Sequence, residues 1–187
     1  MKPLPLAMVA LSAALVIVLG GCGAGGPAAD GPLSSGNGIH DPIPRGSNCV
    51  PGGRSWAFGF QQFTDYGHTT VILDRVVLLH PHNEHLVASY AVPGEVIVGV
   101  VRWPPKYPGT PFADPSVPSA WKHRQPVHGF RLAPGKTFDM VLGVAAIVRG
   151  RRATSQGMLV YYHDSSDDFV APNYWANIIA ANTRTCA

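Results

Sequence analysis

Lysine and glutamate are nearly missing from this chain: 4 Lys and 2 Glu in 187 residues. These residues usually fill the solvent faces of helices, so a coiled coil or helical bundle is excluded. Charge of any kind is scarce, at 13%, and the net charge is only +3. With 46% hydrophobic residues, disorder throughout is excluded too. Cysteine is limited to 3, and no C-x-x-C pair occurs, which leaves no thioredoxin-like motif or Cys–zinc site. There is no G-x-S-x-G elbow and no EF-hand order. Past the first 20 residues no apolar run reaches the ~18 residues of a membrane span. Abundant instead are turn formers, 21 Gly and 18 Pro.

The apolar residues are unevenly spread. Lys2 is followed by Leu6 to Leu19, in which Ser12 is the only polar side chain. A run of about 14 residues is short for a bilayer span and fits the h-region of a secretory signal peptide. It ends in Leu19-Gly20-Gly21-Cys22. This box resembles the lipobox of bacterial lipoproteins, with an ordinary signal peptide or a retained anchor as the alternatives. The resemblance implies that Cys22 carries a diacylglyceryl group and that the chain is cut before it. Residues 1–21 are then a signal peptide, and 166 residues with a net charge of +2 remain. Two acyl chains anchor a protein stably without spanning the bilayer. Residues 22–48 read as a flexible Gly/Pro/Ser tether, with a reach of roughly 25–30 Å.

With Cys22 assigned to lipid, Cys49 and Cys186 are left to bracket the folded segment. An exported compartment permits a disulfide between them, and two free thiols are the alternative. Between them the dominant period is two. Trp56, Phe58 and Phe60 alternate with smaller or polar residues, as do Phe138, Met140, Leu142, Val144 and Ala146. Residues 69–79, 86–92, 96–103 and 158–162 are further strand candidates, and residues 174–183 read as a last strand or a helix. Asp74 and Arg75 interrupt an apolar strand, which predicts that one faces solvent and the other sits at a bulge or edge. Turn residues separate these runs, and no crossover helices intervene. The expectation is an all-β fold: an immunoglobulin-like antiparallel sandwich of about seven strands over residues 49–187. The chain resembles secreted lipoproteins of high-GC Gram-positive bacteria, with 10 Arg against 4 Lys.

Four segments carry candidate chemistry. His80, His82 and His85, with Glu84, are close enough in sequence to hold Zn²⁺ or Cu²⁺, although a solvated loop explains them as well. His163-Asp164-Ser165-Ser166-Asp167-Asp168 contains triad residue types, but turn chemistry also accounts for it. Residues 104–126 hold seven Pro together with Tyr107, Phe112 and Trp121. A structureless connection of that length is often functional, so these aromatics are the expected partner contacts. Arg149-Gly150-Arg151-Arg152 is a basic turn suited to anionic lipid.

The leading expectation is a non-enzymatic, lipid-anchored module on the outer face of the bacterial cell membrane. It would bind a protein, envelope polymer or small ligand through the Pro-rich loop, without a cofactor and without nucleic acid. The alternatives are a His-based Zn or Cu lipoprotein and, further off, a hydrolase built around His163 or His128.

Overall fold

The computed structural model describes residues 30–36, 45–106, 110, 112, 114–182 and 186. Cys22 and Tyr107 lie outside them. The β-branched and aromatic runs form twelve strands among the described residues, against about seven expected.

The first sheet contains β1 (Leu33–Ser34), β3 (Ser55–Asp65), β5 (Glu84–Pro93), β6 (Gly99–Arg102), β7 (Gln125–Pro126) and β9 (Thr137–Ala146), in the order β1-β3-β9-β5-β7. β6 shares with β1 one edge of β3: β6 pairs at Trp56–Gly59 and β1 at Thr64–Asp65. The second sheet contains β2 (Arg45–Val50), β4 (Val71–Leu78), β8 (Arg131–Leu132), β10 (Ala153–Ser155), β11 (Met158–His163) and β12 (Asp168–Ile179), in the order β10-β12-β11-β4-β8. β2 runs parallel to β12, and the other pairs are antiparallel.

The all-β, two-sheet part of the expectation is therefore what the chain adopts. Residues 33–34 and 45–48, inside the segment read as a tether, are strand. Residues 174–179 are strand, not helix. β4 and β5 belong to different sheets, so His80–Asn83 is a crossover between sheets.

One core lies between the sheets. Phe58, Phe63, Phe138, Met140 and Leu142 of the first meet Leu73, Val76, Met158, Val160 and Tyr162 of the second. A second apolar cluster covers the outer face of the first sheet, where Ala57, Val92 and Val141 meet Val117 and Trp121. Those last two sit on α1 (Val117–Lys122), a short helix inside the Pro-rich segment, with Pro118 in its first turn, where a missing N–H costs nothing. β9 is consequently buried on both faces.

Cys49 and Cys186 form a disulfide, with their Cα atoms 5.6 Å apart. The register gives the molecule two ends. At one lie β1, Asp65, Asp164 and Asp168. At the other lie Ser55, Ala145, Ala146 and the 147–152 arch. β3 runs between them, about 33 Å for eleven residues.

Candidate functional site

β6 brings Arg102 beside Trp56 on β3, and the chain then turns through Trp103-Pro104. The Arg102 guanidinium lies 4.0 Å from the centre of the Trp56 ring, a cation–π stack that holds both in place. Trp103 lies flat on the sheet because residue 143 is glycine: a Cβ there would stand 2.7 Å from the indole. The same indole stacks on Tyr90, whose ring meets Trp121 edge-on at 5.8 Å. The Ser55 hydroxyl donates to the Trp103 carbonyl at 3.3 Å. Trp56, Val100, Arg102, Trp103, Lys106 and Thr110 thereby wall a cleft of about 570 Å³. Arg102 and Lys106 are exposed at its rim. Trp56 Nε1 is buried without a hydrogen-bond partner.

A second arrangement lies in the other sheet. A register shift between Tyr161 and Tyr162 leaves Asp74 as the extra residue opposite them, and this bulge turns its carboxylate towards His163. Asp74 Oδ1 is 3.0 Å from His163 Nδ1, and His128 Nδ1 is 3.1 Å from the Asp74 carbonyl oxygen. A carboxylate on Nδ1 is the orienting half of a catalytic triad. Among the described residues no hydroxyl is hydrogen-bonded to the other ring nitrogen. Arg75, the neighbour of Asp74, is exposed and stacks on Tyr161 at 4.3 Å.

The residues singled out in the sequence are placed as follows. Trp121 is 2% exposed, so it is core and cannot be a partner contact; Phe112 packs partly buried against the same cluster. Aromatics between prolines carry no sign of which face they take, and here they cover the outer face of the first sheet. His80, His82 and His85 are exposed and do not converge: no group of three or more His, Cys, Asp or Glu side chains among the described residues is placed to hold a metal. His82 instead pairs its backbone with Thr154. Around Asp164 the chain forms a turn, with Oδ1 accepting from Ser166 N at 2.7 Å and Ser166 Oγ at 2.6 Å. These bonds pull the Asp164 carboxyl down to about 2.

Asn83 was missed. Its side chain accepts from Val148 N at 2.8 Å and donates to the Val148 and Arg152 carbonyls at 3.1 and 3.2 Å. The Pro81-His82-Asn83 turn signal was visible, but nothing local tells that its amide pins an arch some 65 residues away.

Solved structures similar to this chain include two from Vibrio cholerae. One is the VesB protease of Vibrio cholerae, at 9% identity and a TM-score of 0.36, with 73% of this chain and 30% of that one covered. The other is the secreted serine protease VesC from Vibrio cholerae, at 11% identity and a TM-score of 0.30, with coverage of 70% and 21%. The chain spans less than a third of either. No family model matches it, and no curated protein does. Both matched structures are of proteases, which stands against the expectation of a non-enzymatic module, and the His-metal alternative falls with the dispersed histidines. At these TM-scores the likeness assigns this chain neither a fold nor an activity.

Proposed function

We propose that this chain is an exported, lipid-anchored protein whose β-domain takes an anionic, ring-containing ligand into the Trp56–Trp103 cleft. One observation carries the ligand reading: the half-buried Trp103 indole and two cations, Lys106 and the Arg102 stacked on the buried Trp56, share one cleft of about 570 Å³. Indole surfaces accept the C–H faces of a ring, and a cation at the rim fixes an acidic substituent. Binding there leaves room for chemistry on the bound molecule.

The anchor reading is supported by the apolar run ending in Leu19-Gly20-Gly21-Cys22. It puts the protein on the outer face of the bacterial cell membrane. Leu33 is eleven residues from Cys22, so β1 stands within about 40 Å of the lipid however the intervening chain runs. The cleft is at the end of the domain away from β1. Two sheets packed over one core support the immunoglobulin-like class as part of the same proposal.

Two experiments test the reading. Mass analysis of protein extracted from membranes is expected to find a diacylglyceryl group on Cys22, and Cys22→Ser is expected to release the protein from the membrane fraction. An unmodified Cys22 overturns the anchor. Galacturonate, a small anionic ring, is expected to change tryptophan fluorescence saturably, with Arg102→Ala and Lys106→Ala each weakening it at least threefold. Binding indifferent to both substitutions overturns the cleft.

A further inference from the structure

The Trp56–Trp103 cleft does not stand alone. Trp103 is also a wall of a second cavity of about 380 Å³, where Val87 and Ile147 offer exposed aliphatic surface. Arg54 and Arg149 wall that cavity and also a third, of about 480 Å³, on its far side. Shared walls make the three into one trough across an end of the molecule. Along it stand Lys106, Arg102, Arg54 and Arg149, all exposed.

The trough is preorganised. Asn83 holds the arch that carries Arg149 through bonds to residues 148, 151 and 152. The arch adds Arg151 and Arg152 to the positive charge at this end. Glu84, opposite Ala146 in the register, is a carboxylate at the same end, but it is 3% exposed. Asp167 and Asp168 are exposed at the opposite end, with Asp164 half-buried beside them, beyond the far ends of the strands. A groove lined by one sign of charge concentrates its counter-ion, here an anion, and guanidinium groups pair with carboxylate or phosphate.

Resting on the cleft reading above, we infer that the whole trough binds an extended anionic glycan, with one acidic sugar in the Trp56–Trp103 cleft and the following units over Val87, Ile147 and the Arg54–Arg149 wall. A glycan fits better than a nucleic-acid strand. The middle of the trough is aliphatic, which suits the C–H faces of sugars, whereas bases need successive aromatic platforms. Of the indole surfaces, Trp103 already spends one face on Gly143 and Tyr90.

The test is a length series on the full chain in neutral detergent, with galacturonate, trigalacturonate, hexagalacturonate, neutral maltohexaose and a six-residue oligo(dT). Hexagalacturonate is expected to bind at least tenfold more tightly than galacturonate, and more weakly as salt rises. Arg54→Ala with Arg149→Ala is expected to return the hexamer to the monomer's affinity while leaving the monomer unchanged. Asn83→Ala is expected to weaken the hexamer alone, with no charge removed. Should the monomer bind but the hexamer bind no better, the cleft stands and the trough falls. If neither binds, both fall. Equal binding of maltohexaose overturns the anionic ligand, and tighter binding of oligo(dT) puts a nucleic acid in its place.

Discussion

Asp139 and Glu84 are buried carboxyls in opposite circumstances. Asp139 accepts from Gln61 N at 3.0 Å and Val98 N at 2.8 Å, and so ties the bulge of β3 to the start of β6. Both oxygens of Glu84 lack a hydrogen-bond partner, although the Ser155 hydroxyl is adjacent. Burial pushes each carboxyl up to about 7. A carboxyl raised in the folded state holds its proton there after the unfolded chain has lost it. Its contribution is thus complete below about pH 4 and is lost as pH rises to about 7. Urea unfolding is expected to show a more stable protein at pH 5 than at pH 8, with an upper figure of about 3 kcal/mol per group. Glu84→Gln is expected to remove part of that difference by stabilising the pH 8 form. A pH-independent midpoint would contradict the burial of both. Asp139→Ala strands two backbone N–H groups and is expected to cost about 2–4 kcal/mol at pH 5. The positions of these two carboxyls were open to reading: Asp139 interrupts an apolar strand, and Glu84 opens β5 behind a polar turn. Their roles were not, because the N–H groups Asp139 serves are 41 and 78 residues away.

At the scale of elements, alternation in β3 and β9 was plain, and it located the core between the sheets. The outer face of the first sheet was hidden from that reasoning. From Val141 onward the other phase of β9 is apolar or glycine too, because a second layer covers it, and period two cannot report which segment supplies the cover. The Pro-rich stretch supplies it, through α1 and Trp121. The split of Asp74 and Arg75 was legible, since a charged pair inside an apolar strand leaves few solutions, whereas the pairing of Asp74 with His163 needs the sheet order. Gly143 offers a direct check on the packing that makes the cleft. Gly143→Ala places a methyl against the Trp103 indole and is expected to lift that ring from the sheet. Near-ultraviolet circular dichroism should change, and galacturonate affinity should fall at least tenfold. The same substitution is expected to lower the thermal midpoint only modestly, since Trp103 is half-buried. Unchanged binding would show that Trp103 does not hold the ligand.

The whole molecule is closed by a disulfide across 137 residues. The pairing was readable by elimination, once one of three cysteines had been assigned to lipid. In the chain-entropy account a loop of this size is worth up to about 5 kcal/mol. Cys186→Ser is expected to lower the urea midpoint substantially, with reductant reproducing the loss in the parent protein and changing nothing in the variant. A variant as stable as the parent would mean that β2 and β12 hold the closure alone. Which end bears the Arg-lined trough was beyond the sequence, because it depends on β3, β5, β6 and β9 meeting at one edge of the molecule.

β2 is the parallel partner of β12, and among the described residues it has no second neighbour in its sheet. A chain delivered through a membrane from its N-terminus would release residues 45–50 more than a hundred positions ahead of their partner. For that interval the strand would have an open edge on each side, and the Cys49 thiol would stand ready for any oxidised partner nearby. Its sequence, Arg-Gly-Ser-Asn-Cys-Val, is polar and carries a charge, a composition that resists pairing with strangers while it waits.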